Sequence, residues 1–303
     1  MSSYIHPVSG RSRKKAHPAQ FQVECPTMIE PFFDENSEFL HKDTRKTRWA
    51  IPYHAECLNA RVRVLLAENR DVLEGRTVFD AASHIGTLSY AALQLGARHV
   101  TGVDTEARTI ATAEELFAHY KVEQERYRFE VGDVLEHLER AGPDAFDTVL
   151  CFGMLYYTAE PYRLLKLMAR AARRCVLLDT FTAKYAALQG KDAAKVLPHV
   201  TDDTWQLPAL ITTLTQAAKK DYTLPDAFEY LDKPVTLTSF PTEPLLELWF
   251  ESLGMNYRKL DWSGDATRDC TWRDLITPEQ KKSSHWADVY TAGVRVAYRL
   301  SSK

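Results

Sequence analysis

No apolar run in the sequence is long enough to cross a bilayer, and Met1 is not followed by the charged-then-apolar pattern of a secretory leader. The expectation is a cytoplasmic protein with no membrane partner. A basic surplus is also missing. The formal net charge of −3 gives no electrostatic reason to expect nucleic acid or an anionic surface as partner. The sole basic cluster, Arg11-Ser-Arg-Lys-Lys15, sits in a polar start punctuated by Pro7, Pro18 and Pro26, where a solvated tail is the expectation. Cysteine follows no pattern: Cys25, Cys57, Cys151, Cys175 and Cys270 are odd in number and lack metal-ligand spacing, so a disulfide framework and a metal centre are not expected. Internal repeats and low-complexity runs are absent. So is the G-x-G-x-x-G signature that brings a backbone against a pyrophosphate, which disfavours a nicotinamide dinucleotide.

What is present is an ordinary globular composition, 45% hydrophobic and 26% charged. The chain is organised around the stretch from Thr77 to Asp104. A short apolar run, Thr77 to Phe79, stops at Asp80, and the small residues Ala81, Ala82, Ser83 and Gly86 follow. Leu88, Ala91, Ala92 and Leu95 then recur at helical spacing until Gly96 closes the helix, and His99 to Val103 delivers Asp104. Strand, tight turn, helix and strand make a βαβ unit, which predicts a doubly wound α/β fold with ligands beyond the carboxyl ends of its strands. Small residues let a ligand approach the backbone of the turn, and Gly86 permits a conformation that a Cβ penalises. Asp104, 24 residues after Asp80, stands where a carboxylate can accept from both ribose hydroxyls. An acid at the end of the first strand argues against a phosphate and for a ligand with a cationic amino-acid end.

These pieces resemble the class I S-adenosylmethionine (SAM)-dependent methyltransferases, over about residues 70–180. Val78-Phe-Asp-Ala-Ala-Ser-His-Ile-Gly86 is similar to their first motif, with Ala82 and His84 where glycines are usual. Gly102-Val-Asp-Thr-Glu106 matches the ribose-binding acid, Gly132-Asp133-Val134 the adenine-edge motif, and Phe146 to Tyr157 the fourth strand and its loop. The Ala-Ser-His variant looks like a bacterial branch acting on small molecules. The resemblance implies a Rossmann-like seven-stranded sheet, SAM as cofactor, and cofactor contacts from Asp80, Ala82, His84, Gly86, Asp104, Thr105, Asp133, Val134 and Phe152. Asp133 would accept from the adenine amino group while the Val134 or Leu135 amide meets a ring nitrogen. Capping the helix Val134–Ala141 is a second role for the same Asp133 carboxylate.

Outside the core unit the expected elements are these. Residues 1–27 form a flexible tail and 28–73 a helical lid, with an amphipathic helix from Glu56 to Asn69 whose apolar face is Leu58, Val62, Leu65 and Leu66. The SAM-binding domain runs from 74 to 303. Within it, an insertion at 180–240 carries helical stretches near 183–196 and 207–219, and the resemblance implies that it shapes the acceptor pocket. Arg174 to Leu178 is the fifth strand, ended by Asp179. Pro241 to Leu253 is the last crossover helix, Asn256 to Asp261 the sixth strand and Ala287 to Tyr298 the seventh.

The expected activity is methyl transfer to a small-molecule acceptor of specialised metabolism. The alternative is a cyclase in which the SAM amine attacks its own γ-carbon, forming azetidine-2-carboxylic acid and methylthioadenosine. Such an enzyme needs orientation, desolvation and, for a protonated nucleophile, a base. The candidates are Tyr156 and Tyr157 in the fourth-strand loop, His54 in the aromatic run Arg48 to His54, and Asp179; His84 serves either the cofactor loop or catalysis, and Asp179 either catalysis or bracing of the sheet. A nucleic-acid acceptor would call for an Asn/Asp-Pro-Pro-Tyr type of loop, and the loop here is Gly-Met-Leu-Tyr-Tyr. The ribose expectation is testable. Asp104→Ala should weaken SAM binding by roughly 1.5–3 kcal/mol, the loss of hydrogen bonds to a charged partner, and calorimetry on the folded variant reads it directly.

Overall fold

The computed structural model describes residues 32–43, 51–187, 200–217 and 224–302, the last three stretches and the first forming one compact unit from Phe32 onward. The expected tail at 1–27 lies outside the described residues, as do Arg48, Trp49 and residues 188–199.

Seven strands form the central sheet: β1 (Thr77–Ala81), β2 (His99–Asp104), β3 (Tyr127–Val131), β4 (Phe146–Phe152), β5 (Ala172–Phe181), β9 (Met255–Lys259) and β10 (Arg295–Ser302). Their order is β3-β2-β1-β4-β5-β10-β9. The first five run parallel, and β10 inserts antiparallel between β5 and β9. The reversal of strand order lies between β1 and β4, and in doubly wound sheets that is where a crevice opens.

Alternation of side chains sorts the core into two layers. On one face Val78, Val100, Leu150, Leu177 and Ala297 meet α2 (Ala55–Leu65), α3 (Thr87–Gln94) and α4 (Ala107–His119). On the other, Phe79, Val149, Cys151, Val176, Leu178, Val296 and Tyr298 meet α5 (Val134–Ala141), α6 (Pro161–Ala171) and α8 (Glu243–Ser252). With helices on both faces the strands must be apolar throughout, which is why β1 and β4 read as continuous hydrophobic runs.

The N-terminal segment is built into this core. The short helix α1 (Glu38–Lys42) sends in Phe39, which stacks on Tyr120 at 5.2 Å and meets Phe33 edge-on at 5.5 Å. Burying one such ring contributes about 1.5–3 kcal/mol. Asn59 of α2 ties Phe33 through both its backbone groups, and Glu35 accepts from the Ala55 amide. Deleting residues 1–55 would therefore remove part of the core, so the segment is not a detachable cover. Helix α2 ends at Leu65, short of the expected Asn69; a 3₁₀ turn follows, with Asn69 itself non-helical and holding the Val64 and Leu65 carbonyls.

Three expected elements are corrected. The stretch at 207–219 is a strand, β6 (Leu210–Gln216), paired antiparallel with β8 (Lys233–Pro241), which in turn pairs β7 (Phe228–Tyr230). Its Leu-Ile-Thr-Thr-Leu-Thr run is half-buried in alternation, the pattern of a two-sided strand. Within 183–196, the helix that is described is the short α7 (Ala183–Ala187). The stretch 287–298 divides: after the short α9 (Pro278–Lys282), α10 (Trp286–Thr291) is started by a capping box between His285 and Asp288 and ended at Gly293 (φ +67°), and only then does β10 begin. Strand β5 also passes Asp179 and continues to Phe181, because β10 extends the ladder to Phe181↔Arg295.

Gly86, expected at the cofactor, has a packing duty instead. It starts α3 with φ +75°, and a Cβ there would lie 2.8 Å from both Phe117 and Phe129. Gly86→Ala should cost about 2–5 kcal/mol, from a left-handed backbone and overpacking together. A urea midpoint equal to the wild type would show that the two rings give way.

Candidate active site

The cavity opens at the carboxyl ends of the parallel strands, and separate parts of the chain wall it. The β1–α3 turn supplies Ala82 and His84. The ends of β2, β3 and β4 supply Asp104, Thr105, Asp133, Val134, Phe152, Tyr156 and Tyr157. Tyr53 and Arg61 come from the N-terminal segment, Leu224 and Pro225 from the insertion, and Trp286 and Arg295 from α10 and β10.

The turn keeps a glycine-like backbone without the glycines. Ala82 and His84 have φ of +60° and +50°, a region costing about 1–2 kcal/mol for a residue with a Cβ. Backbone hydrogen bonds hold it there: Ser83 donates to the Val103 carbonyl at 3.0 Å, and the His84 amide donates to Asp104 Oδ2 at 2.9 Å. Asp104 Oδ1 accepts from the Glu106 amide at 3.0 Å and from the Thr109 hydroxyl at 3.3 Å. Asp104 thus fixes the turn as well as facing the cavity, and its loss would loosen both. Asp133 accepts from the Glu136 amide at 3.0 Å, so it caps α5 and also lines the cavity.

Beside β4, Gly153 turns the chain with φ +83°, its amide bonded to the Asp179 carbonyl at 2.8 Å. Tyr156 is buried between Phe181 (5.1 Å) and Phe240 of β8 (5.6 Å, nearly parallel). Burial pushes its phenol well above the ordinary tyrosine value, with Arg295 opposing, so at neutral pH the hydroxyl stays protonated and can donate. Tyr157, its ring 4.4 Å from that of Tyr156, is half-buried.

Four expected site residues do not line the cavity. Gly86 packs as described. Asp80 is buried beneath the turn, accepting from the Ser89 hydroxyl at 2.6 Å. His54 starts α2, with its ring 6.4 Å from that of His285; the neighbouring Tyr53 takes the place in the wall. Asp179 is fully buried behind the wall. It accepts from Arg295 Nε and Nη2, each at 2.6 Å, from Arg61 Nη2 at 2.9 Å and from the Tyr290 hydroxyl at 3.2 Å. Burial alone would raise its carboxyl, but the two guanidiniums outweigh that and hold it below the usual carboxylate range. A carboxylate so paired braces strands and is not a proton acceptor at neutral pH.

Arg61 and Arg295 are the residues that sequence reading missed. The signal was available. Arg61 falls three residues after Leu58 and four before Leu65, a charge inside the apolar stripe of α2, and Arg295 interrupts the run Val294-Arg-Val-Ala.

Residues 78–175 match the family model described as a methyltransferase domain. The chain carries a class I S-adenosylmethionine-dependent methyltransferase domain. No curated protein matches it. Among solved structures it is similar to a protein of Listeria monocytogenes described as a candidate S-adenosylmethionine-dependent methyltransferase, at 14% identity and a TM-score of 0.50 over 82% of this chain and 99% of that one. A chain from the complex of the Haloferax volcanii Trm112 methyltransferase activator with its candidate methyltransferase has the same identity and score, over 89% of this chain and 99% of that one. The magnesium protoporphyrin IX methyltransferase of Synechocystis, with bound S-adenosylhomocysteine (SAH), is 16% identical at a TM-score of 0.47, over 82% and 83% of the two chains. At these identities the likeness concerns the fold.

The methyltransferase cofactor is S-adenosylmethionine, and the donor set of the cavity fits it. Carboxylates at the ends of β2 and β3 are of the type that accepts from hydroxyls and an amino group, and the left-handed turn exposes backbone to the cavity. Among the described residues no group of His, Cys, Asp and Glu is placed to hold a metal ion, and no helix is long and apolar enough to cross a membrane.

Because Asp179 neutralises buried arginines in this methyltransferase, Asp179→Asn should destabilise it by about 3–5 kcal/mol. The sign with pH follows from the lowered carboxyl. The contribution is complete above the ordinary aspartate value of about 4 and is lost only as pH falls through the lower folded value. A thermal melt near pH 7 that matches the wild type, with activity lost, would instead make Asp179 a base.

Proposed function

We propose that the chain transfers the methyl group of SAM to a small-molecule acceptor of specialised metabolism, in the cytoplasm. One observation supports this above the others: the cavity at the strand ends is walled on its far side by the N-terminal segment, the insertion and α10, which leave room for a compact acceptor. The net charge of −3 points the same way, since a nucleic-acid acceptor would favour a basic surface. The matched domain is one of methyl transfer, and nothing observed favours intramolecular cyclisation of SAM.

In this reading Asp104 accepts from the ribose hydroxyls, with Thr105 beside it. Asp133 reads the adenine amino group, and the Val134 amide meets the ring. Ala82 and His84 present the turn backbone to the amino-acid end. When bound, SAM supplies an activated methyl on a sulfonium. The chain's own part is to orient the acceptor, exclude water and manage one proton. Phe152, Tyr156 and Tyr157 enclose the reacting region, where aromatic faces attract a desolvated cation by about 2 kcal/mol. Tyr156 holds the acceptor by donating its hydroxyl. Of the candidates weighed from sequence, with Asp179 paired and His54 outside the wall, His84 and Tyr157 remain for the proton. The N-terminal segment acts as a wall that is also core, a closer description than a free lid.

Incubation with SAM alone, with the small-molecule fraction of an extract and with its macromolecular fraction, followed by mass spectrometry of the nucleoside product, tests the reading. SAH should form only with the small-molecule fraction. Methylthioadenosine from SAM alone would make the chain a cyclase, and SAH dependent on the macromolecular fraction would overturn the acceptor class. Tyr156→Phe should slow turnover more than it changes SAH affinity.

A further inference from the structure

Two guanidiniums meet one carboxylate at one end of the cavity, leaving a positive charge in excess. Arg61 and Arg295 are 8% and 5% exposed, and among the described residues the ion pair of each is with Asp179. Asp179 already accepts four hydrogen bonds, so it cannot neutralise a second cation by rearranging. Asp43, which the N-terminal segment contributes to the wall, forms no ion pair with either arginine. Arg61 Nε is buried with no hydrogen-bond partner among the described residues. An uncompensated buried charge with an orphaned donor is costly, and a fold keeps one where a ligand supplies the missing anion.

Position separates this end from the cofactor's. Asp104 and Asp133 belong to the β3-β2-β1 half of the sheet, whereas Arg295 opens β10, beyond β4 and β5. A Cβ on Gly153, at the exit of β4, would lie 3.0 Å from Arg295 Nη2, so the guanidinium stands directly under the loop that carries Tyr156 and Tyr157. Phe181 stacks beneath the same guanidinium at 4.6 Å and holds its plane. The surroundings on the cavity side are aromatic, from Tyr53 and Trp286 as well as the two loop tyrosines.

We propose that the Arg61–Arg295 pair receives a carboxylate of the methyl acceptor, so that the substrate class is an aromatic or apolar small molecule bearing a carboxylate. The fork geometry of guanidinium suits a planar carboxylate, and the aromatic walls take the body that carries it. The inference rests on the methyl-transfer reading of the site and deepens it.

Benzoate and its neutral counterpart benzamide are the probes, titrated by calorimetry into the full chain saturated with SAH. Benzoate should bind about tenfold or more tightly than benzamide, a difference of about 1.4 kcal/mol, and Arg61→Gln should abolish the preference. The affinity of SAH itself should change less than about twofold in that variant, a difference well below one kcal/mol. Equal binding of the two probes to the wild type, or binding of neither, overturns the proposal, and that comparison needs no variant to fold. Survival of the preference in Arg61→Gln overturns it too. A loss of SAH affinity in Arg61→Gln that its decarboxylated analogue does not share would assign the arginines to the cofactor's own carboxylate. Failure of SAH to bind the wild type at all would instead strike the methyl-transfer reading.

Discussion

One buried carboxylate joins three distant parts of the chain. Asp179 lies near the end of β5, Arg295 begins β10, and Arg61 comes from α2, more than a hundred residues away from both its partner strand and the other arginine's. Neither ionic contact is possible until the sheet has its antiparallel insertion and the N-terminal segment has docked on it. Hydrophobic burial, which is non-directional, would tolerate small slips of α2 over the sheet. A bidentate contact from Arg295 and a third hydrogen bond from Arg61 do not. The cluster is expensive in desolvation and so poor evidence for stability as such, but it fixes which residues face the cavity. Tyr53 enters the wall and His54 does not because α2 is pinned by Arg61, two turns further along.

The same pinning explains the apparent double duty of the N-terminal segment. Its far side carries Phe33, Phe39 and Leu40 into the core, while its near side presents Tyr53 and Arg61 to the cavity. A cover that opened freely would have to withdraw several buried aromatic rings at each turnover. The insertion is bound to the cavity more lightly. Its three-stranded sheet leaves Leu214 and Phe228 exposed, and Leu224 and Pro225 reach the cavity from the connection between its strands.

The sequence disclosed the parts whose patterning is local. Strand runs of buried residues, helices with one apolar stripe, and the small-residue turn before Gly86 all have periods visible in a short window, and β4 and α5 fall where that reading put them. Errors arose where a second force overrode the period. The strand Leu210–Gln216 has alternation that is weak because one of its faces is exposed and the other only half-buried. Residues 286–291 are apolar enough for a strand, and the His285–Asp288 capping box starts a helix there. At the site, Asp104, Asp133 and the two loop tyrosines were legible because strand ends point into the crevice. Asp179 was also at a strand end, yet its role was hidden, since whether a carboxylate serves chemistry or pairs with arginine depends on residues 116 and 118 positions away.

The β1–α3 turn carries the last step. Its glycine-like conformation at Ala82 and His84 persists although the residues that make it easy are missing. Backbone strain of this kind survives only where neighbours over-determine it. Here Asp104 does so through the His84 amide, with the Val103 carbonyl holding Ser83 from the same strand. A side chain on the second left-handed position then becomes an asset: His84 projects an imidazole into the cavity where a glycine would have left open space. The departure from the family pattern and the imidazole it introduces are one feature, since the left-handed turn is what brings that side chain to the cavity wall.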